Sequence, residues 1–198
     1  ILSGKIPDDC RVCPAGGSGW RSLDQVREVR AAQSGAVHQT PFGVRDVLSW
    51  LSSARDSSEA LLFGLHAACA MTQASIGALY RVRAPLGLPV VSACYGDPAL
   101  DLGEVVPRRD PALCLAHEGE PTVLRPGSSA AARAVASRLG PLHEFRGLAL
   151  IPIRTPTEIA GVVELGRLDH GFRSSDVRAL VPLMTATAGR LEELAWEG

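Results

Sequence analysis

The chain has 198 residues, 46% of them hydrophobic, so it can bury a sizeable core and is not disordered throughout. This size fits one ordinary domain with an extension. The 20 basic and 21 acidic residues nearly balance and are interleaved along the sequence, so we expect no nucleic-acid partner. Lys5 is the single lysine, a bias that indicates a GC-rich bacterial genome.

No apolar segment approaches the roughly 20 residues that a membrane-spanning helix requires. The N-terminus also lacks the basic start and the hydrophobic middle of a secretory signal. We therefore expect a cytoplasmic protein without a membrane partner. Because the first residue is Ile1 rather than Met, we also expect the sequence to be a piece of a longer protein.

The N-terminal 55 residues differ in pattern from the rest of the chain. Residues 1–19 are rich in Pro and Gly and have no apolar periodicity, which predicts an irregular arm. Residues 20–55 predict a helical extension made of two helices, because apolar residues recur there at helical spacing. The first helix is expected from Trp20 to Ala32 and the second from Phe42 to Ser52.

Alternating helix and strand patterns follow from residue 56 onward. Asp56 is a capping residue ahead of an apolar series, and this predicts a helix that runs to about Thr72. Two β-rich segments, Ala74 to Val82 and Leu88 to Tyr95, predict a strand pair. The segments after them predict a short helix at Asp110 to Glu118, a short strand that ends at Leu124, and a helix at Ser128 to Leu139.

The C-terminal quarter combines an apolar hairpin with a long amphipathic helix. Gly147 to Ile153 and Ile159 to Leu165 read as two paired strands, joined by a turn at Thr155-Pro156-Thr157. Ser174-Ser175-Asp176 then provides a cap-rich start for a helix. Its apolar stripe recurs at steps of three or four residues. The stripe consists of Val177, Leu180, Met184, Ala188, Leu191 and Leu194.

This order of elements resembles a GAF domain, the small-ligand sensor module of many signalling proteins. The phrase Gly119-Glu120-Pro121, between a small helix and the central strand, also resembles the family. The resemblance covers about Asp56 to Trp196, so we assign residues 56–198 to a GAF-like sensor domain. It implies an α+β fold, in which a central antiparallel sheet is flanked by helices on both faces and preceded by the N-terminal helical extension.

The resemblance implies a ligand pocket between the sheet and the short helices. Candidate ligand-binding residues come from the second strand and its loop, from the small helix, and from the segment between them. They are Tyr95, Asp97, Arg108, Arg109, Cys114 and His117. An Arg-rich rim favours a small anionic effector. No cofactor can be named from these residues.

Nucleotide-binding members of the family carry an Asn-Lys pair after the last core strand, then a Phe and an Asp-Glu pair. Here Gly166 and Arg167 stand in place of Asn-Lys, and Val177 stands in place of Glu. We therefore predict that the chain binds neither cAMP nor cGMP. Phe172 and Asp176 fit the pattern, but a hydrophobic staple and a favourable charge at the helix dipole explain them equally.

Cysteine chemistry offers two further hypotheses. One branch of the family reduces free methionine sulfoxide with a cysteine relay, and Cys114 resembles one of its positions, with His117 one helical turn away. The relay requires a second cysteine where residues 141–146 contain none, so we expect no reductase. Cys10 and Cys13 have the spacing of half a zinc site, but no second pair lies nearby, and we assign no metal site.

Two functions remain open from the sequence, and a thiol-dependent methionine sulfoxide reductase is a third alternative. The first is a sensor, not an enzyme, that binds a small effector and signals through its terminal helices. The second is a ligand-free dimerisation or interaction module, because Leu and Ala in residues 112–116 and 130–137 can fill the pocket. Since the apolar stripe extends to Leu194, we expect a homodimer built from the terminal helix and a helix before the first strand.

Overall fold

The structure, a computed structural model, describes residues 11–12, 21–22, 44–83, 87–156 and 158–196. The chain divides into one unit of residues 1–41 and a second of residues 42–198. In the first unit, β1 (Arg11–Val12) pairs antiparallel with β2 (Arg21–Ser22). A strand therefore lies where the first helix was expected to begin. The rest of that helix, together with Cys10 and Cys13, lies outside the described residues.

The second unit contains helices and strands in the predicted order. Its helices are α1 (Val44–Ser53), α2 (Ser57–Thr72), α3 (Pro111–His117), α4 (Ala130–Leu139), α5 (Ser174–Arg178) and α6 (Val181–Trp196). Its strands are β3 (Ile76–Arg83), β4 (Leu88–Tyr95), β5 (Thr122–Leu124), β6 (Gly147–Arg154) and β7 (Ile159–Arg167). Within the described part of the chain, no helix is long and apolar enough to cross a membrane.

Three of the helices begin at a polar side chain that accepts a backbone N–H of the first turn. Asp56 accepts from Glu59 at 2.8 Å before α2. Asp110 caps α3, and Ser129 caps α4 by accepting from Ala132 at 3.1 Å. Such caps satisfy groups that have no partner inside the helix, and each contributes about 1 kcal/mol. Local sequence therefore fixes where these helices start.

Strands β3 to β7 form one antiparallel sheet in the order β4-β3-β7-β6-β5. Strand β7 lies at the centre of the sheet with β3 and β6 on its two sides, and we refer to β7 and β3 as the two central strands. In β7, the buried Glu164 lies opposite Ala78 of β3 and Leu150 of β6. Successive residues of a strand point to opposite faces. The sheet therefore presents two different surfaces to the helices around it.

The helices cover both faces of the sheet, as the expected α+β architecture requires. Helices α1, α2 and α6 pack on one face around an apolar cluster, and α3 and α4 pack on the other around a second cluster. Leu51 and Ala54, in α1 and just after it, are buried in the first cluster. The second unit therefore begins before residue 56, where the sensor domain was expected to start.

The expected long terminal helix is divided into α5 and α6. Pro182 lies in the first turn of α6, where the missing N–H of a proline is tolerated. Most of the predicted stripe is buried in the domain's own core: Val177, Leu180, Met184, Ala188 and Leu191. Leu194 packs against this core and is partly buried. The predicted stripe therefore forms part of the domain's own hydrophobic core.

Candidate functional site

Four polar side chains meet on the face of the sheet that α3 and α4 cover. They are Tyr80 on β3, Glu164 on β7, Asp110 at the start of α3 and Arg138 near the end of α4, and we call them the Arg138 cluster. These groups come from four separate elements. Their meeting therefore depends on the complete fold of this half of the domain.

Strand periodicity explains why Glu164 points to this face. Its neighbours Val163 and Leu165 are buried in the cluster on the α1, α2 and α6 face, so the side chain between them points the other way. Tyr80 is related in the same way to Leu79. Because both strands are central in the sheet, Glu164 has no access to solvent. A carboxylate in such a place requires a cation and hydrogen-bond donors.

Arg138 and Tyr80 supply those donors. The Tyr80 hydroxyl donates to Oε2 of Glu164 at 2.7 Å. Nε of Arg138 donates to the Tyr80 hydroxyl at 3.1 Å and to Oε2 of Glu164 at 3.2 Å, while its Nη2 pairs with Oε1 of Glu164. Nη1 of Arg138 pairs with Oδ2 of Asp110. The guanidinium thus joins α3 and α4 to the two central strands through charge-assisted bonds.

Burial and charge fix the protonation states in this cluster. Burial raises the pKa of Tyr80, and the neighbouring Glu164 carboxylate raises that pKa further, so the hydroxyl keeps its proton and remains a donor. Burial alone would lower the pKa of Arg138, but the charge and hydrogen bond of Glu164 raise it overall. The guanidinium also lies over the Tyr80 ring, 5.7 Å from its centroid. Arg138 is therefore a permanent cation.

Apolar side chains surround the Arg138 cluster between the sheet and the two helices. The contact between α3 and α4 uses small residues, since Ala112, Ala116, Ala131 and Ala132 are all buried there. Leu148 and Leu150 of β6 provide part of the floor. Short side chains at a helix contact allow close approach, while the buried Leu113 of α3 anchors that helix in the same cluster.

Tyr95, a predicted ligand-binding residue, lies on the other face of the sheet. Its ring stacks edge-on against His66 of α2, with the ring centroids 5.1 Å apart, and it packs against the α1, α2 and α6 cluster. Burial raises the pKa of Tyr95. The adjacent Cys94 packs on the face of the Arg138 cluster. Tyr95 was expected beside the short helices, but strand alternation directs its neighbour Cys94 to that face and Tyr95 to the other.

The other predicted site residues lie at the surface. Cys114 and His117 are exposed because the buried side of α3 is formed by its Ala and Leu residues, and Cys114 Sγ lies 3.9 Å from the Arg108 carbonyl oxygen. Arg108 and Arg109 are exposed and directly precede Asp110. Asp97 is exposed in the loop after β4. The two arginines therefore precede a member of the Arg138 cluster in the chain, with the Arg108 guanidinium near Gly87 in the turn between β3 and β4, and Tyr95 lies on the opposite face.

A groove of about 210 Å³ opens elsewhere, and none of the predicted site residues lines it. The segment before β5, the end of β6 and the first turns of α6 form its walls. Its lining consists of Gly119, Glu120, Pro121, Pro152, Arg154, Val181, Met184 and Thr185. No group of three or more metal-ligating side chains occurs in the described parts of the chain.

Arg167, at the position where nucleotide-binding relatives carry Lys, is a structural anchor. It is buried, and its Nε donates to the carbonyl oxygen of Thr72 at 2.6 Å, close to the end of α2. It also pairs with Asp176 at 3.1 Å and stacks over Phe172, whose ring centroid is 4.2 Å from the guanidinium carbon. These three residues therefore tie the start of α5 to the sheet and to α2.

Sequence reasoning missed the Arg138 cluster, although one signal was present. Glu164 is a charged residue inside the apolar strand Ile159 to Leu165, and a strand buried on both faces rarely carries a charge without a partner. Nothing in the sequence identified that partner, because Arg138 is 26 residues away on an Ala- and Arg-rich helix. The cluster is thus visible only in the folded chain.

Comparison with known proteins gives structural relatives. Neither a protein-family model nor a curated protein matches the chain. The GAF domain of an Acinetobacter phosphoenolpyruvate-protein phosphotransferase superposes with a TM-score of 0.64 at 13% identity, over 84% of this chain and 96% of that one. Free methionine-R-sulfoxide reductase from Neisseria meningitidis, in complex with its substrate, gives 0.64 at 15% identity over 78% and 89%.

A third relative comes from a signalling protein. The GAF domain of a two-component sensor histidine kinase from Bacillus halodurans superposes with a TM-score of 0.55 at 16% identity, over 79% of this chain and 98% of that one. Identities this low carry the fold and leave the ligand open. The five-stranded antiparallel sheet, the helices on both of its faces and these superpositions together establish that the protein has the fold of a GAF domain.

Proposed function

We propose that the protein is a sensory or regulatory GAF domain that binds a small effector on the face of the sheet covered by α3 and α4. The observation that carries this proposal is the Arg138 cluster, a buried set of charges held between two short helices and the central strands. Buried charges are expensive and are typical of functional sites. Fold alone would not support the proposal, since GAF folds serve several functions.

The central strands offer a route from this cluster to the terminal helices. Glu164 lies between Val163 and Leu165, whose side chains pack in the cluster formed with α2 and α6 on the opposite face. A change in the position of Glu164 would shift these two neighbours as well, because packed interiors transmit small displacements. The effector would thus bias α6, the last helix of the domain.

Exposed arginines support an anionic effector. Arg108 and Arg109 lie at the surface and directly precede Asp110, and guanidinium groups bind carboxylates and phosphates in a two-pronged geometry.

Two of the structural relatives are GAF domains of signalling or transferase proteins. One is from a phosphoenolpyruvate-protein phosphotransferase and the other from a two-component sensor histidine kinase. A regulatory role for this chain agrees with the presence of GAF domains in those two proteins.

Native mass spectrometry and a thermal-shift screen test the proposal. The screen should contain acidic, basic and neutral metabolites, and a ligand at about 100 times its Kd stabilises a folded protein by about 2.7 kcal/mol, several degrees in Tm. We expect at least one compound to raise Tm in the wild type and not in Arg138→Gln. The matched control is Arg133→Gln, which changes an exposed arginine of the same helix. A screen without any stabilising compound would contradict the proposal.

A ligand-free interaction module is the second candidate, and one observation favours it. The space between the sheet and the two short helices is packed with the domain's own apolar side chains, including buried Val135 and Leu139 of α4. Such a domain would act through its surface alone. The same thermal-shift screen separates the two candidates, since a module of this kind gains stability from a protein partner and from no small molecule.

We further propose that the protein forms a homodimer through its helical layer. Large apolar side chains remain exposed on three helices of that layer, namely Leu48, Trp50, Leu62 and Val181. Leu191, which belongs to the predicted apolar stripe, is buried within the domain. Replacing it would unfold the domain, so a test of the dimer must use exposed residues instead. Sedimentation equilibrium should show a dimer that Leu48→Glu with Leu62→Glu converts to a folded monomer. A wild-type monomer at high micromolar concentration would contradict this.

Enzymatic activity is not part of the proposal, although one structural relative is a methionine sulfoxide reductase. Among the described cysteines, Cys114 is exposed on α3 and Cys69 is buried, with a pKa raised by burial. A buried neutral thiol is a poor nucleophile. We expect no turnover of free methionine sulfoxide with a thiol reductant. Turnover that is lost in Cys114→Ser would show that the reductase alternative is correct.

A further inference from the structure

Arg138 is least buried on the side where Asp110 pairs with it. The Glu164 side chain, on the opposite side of the guanidinium, is 0% exposed, whereas the side chains of Arg138 and Asp110 are 12% and 9% exposed. A molecule that arrives from solvent therefore approaches the guanidinium from the Asp110 side and not from the Glu164 side. In this structure the Asp110 carboxylate pairs with Nη1 of Arg138 on that side.

The two carboxylate oxygens of Asp110 have separate roles. Oδ1 accepts the backbone N–H groups of Ala112 and Leu113, at 2.9 and 3.1 Å, and so caps α3. Oδ2 pairs with Arg138. Losing the second contact leaves the first intact, so α3 can separate from Arg138 and remain a helix. The bond between Arg138 and Asp110 is thus a replaceable link between α3 and α4.

Charges and small side chains beside this link favour a small acid as its replacement. Arg108 and Arg109 are exposed and immediately precede Asp110 in the chain, and their positive charges would attract an anion to this part of the surface. The buried side of α3 carries Ala112 and Ala116 together with the larger Leu113, which packs in the same apolar cluster. A shift of this short helix would therefore open a small apolar space next to the guanidinium.

We propose that Arg138 is the anchor for the carboxylate of a small organic acid with a short apolar body, and that Asp110 is the internal carboxylate that occupies this anchor when the acid is absent. This inference rests on the proposed effector site and names the class of its ligand. One carboxylate replaces another on the same guanidinium atom, so the number of carboxylates paired with Arg138 is unchanged. Binding of the acid releases α3 from α4.

Isothermal titration of butyrate into the full chain tests the inference. Asp110→Asn keeps the helix cap, because Asn is also a good capping residue, and removes the competing charge. Asp110→Ser also provides a capping residue for α3, and it replaces Asp110→Asn in the experiment if that variant does not fold. The control is Glu192→Gln, which removes one negative charge from the exposed surface of α6. Butyramide has nearly the same shape as butyrate and no charge, and it reports binding that does not need a carboxylate.

We expect Asp110→Asn to bind butyrate about tenfold more tightly than the wild type, since a hydrogen bond between charged groups contributes enough to change affinity by that factor. Glu192→Gln should bind as the wild type does, and butyramide should show no gain. Adding Arg138→Lys to Asp110→Asn should cancel the gain, because a compact ammonium group that pairs with Glu164 does not also present a separate donor at the position of Nη1.

Equal affinity of the wild type and Asp110→Asn for butyrate, including no binding by either, would overturn the inference. A similar gain in Glu192→Gln or with butyramide would also overturn it. These failures differ from failure of the proposed function. A neutral or basic compound that stabilises the wild type in the thermal-shift screen would leave an effector site in place while excluding an acid as its ligand.

Discussion

The two faces of the sheet satisfy their buried polar groups in different ways. On the face covered by α1, α2 and α6, Thr72 and Thr187 each donate to the backbone carbonyl four residues earlier in the same helix, at 2.6 and 2.9 Å. On the face covered by α3 and α4, buried polar side chains bond to one another across elements, as Tyr80 does to Glu164. Arg167 also belongs to the first face, where it donates to the Thr72 carbonyl and pairs with Asp176 at the partly exposed edge. The first face is therefore held by close packing and by bonds from buried side chains to backbone carbonyls, whereas the second is held by a network between buried side chains.

This difference indicates which face of the sheet can exchange its polar contacts with a ligand. Local hydrogen bonds persist whenever their own helix is formed, so they add nothing that a ligand could exchange. A network between side chains has alternatives, because another charged group can replace any one member. The α1, α2 and α6 face is therefore the permanent scaffold of this domain, and the α3 and α4 face is where exchange with a ligand is chemically possible.

The largest expected effect comes from breaking the network by removing its cation. Arg138→Ala leaves the Glu164 carboxylate buried without a charge partner, which should destabilise the protein by about 3–5 kcal/mol. Urea unfolding monitored by circular dichroism measures this change. Arg133→Ala on the exposed side of α4 is the control and should cost less than about 1 kcal/mol.

The double variant Arg138→Met with Glu164→Leu sharpens the same comparison. Removing Arg138 and Glu164 together should recover part of the lost stability, since well-packed apolar side chains often replace a buried ion pair without cost. The Tyr80 hydroxyl and Asp110 still lose their partners in this variant, which keeps it below the wild type. If Arg138→Ala changed stability no more than Arg133→Ala, the network would not hold the α3 and α4 face. That result would remove the distinction between the two faces.

A smaller effect is expected on the scaffold face, from its closest helix contact. A Cβ atom at Gly64 of α2 would lie 2.8 Å from Oγ1 of the buried Thr187 in α6. Gly64→Ala should therefore destabilise the protein by about 1–3 kcal/mol. Gly189→Ala in α6 is the matched control, because its Cβ meets nothing within 4 Å, and it should stabilise the helix by up to about 1 kcal/mol. Equal Tm values for both variants would show that α2 and α6 are not tightly packed.

The smallest expected effect depends on pH and lies at the edge of the scaffold face. The Arg173 backbone N–H, together with the nearby Arg167, lowers the pKa of Asp176 from its ordinary value of 3.8. Because the pKa is lower in the folded state, the ionised carboxylate stabilises the fold at pH values above its ordinary pKa. This contribution is lost as the pH falls through the lowered pKa.

Asp176→Asn should therefore destabilise the protein at pH 7 by less than about 1 kcal/mol, since the ion pair is partly exposed. The difference from the wild type should disappear as the pH falls below 3.8. Urea unfolding at a series of pH values from 7 downward measures it. A difference that did not depend on pH would mean that the Asp176 charge has no part in stability.

Most of the fold could be predicted because its signals are local. The caps at Asp56 and Asp110 and the apolar alternation of β6 and β7 act over a few residues, and the expected elements from residue 56 onward were found in order. The exceptions also have physical causes. Pro182 favours the start of a new helix and so divides the long helix that was expected, and β2 occupies Arg21–Ser22 by pairing with a distant segment.

The sequence alone determined the order of the elements, the helix starts and the presence of one charge, Glu164, inside an apolar strand. Only the tertiary structure decided what that charge contacts. Tyr80 is 84 residues from Glu164, and Arg138 is 28 residues from Asp110. Hydrophobic periodicity assigns each side chain to a face, but it does not choose between partners on that face. Burial selects the partners, because an ion excluded from water is stable only where other groups replace its hydration.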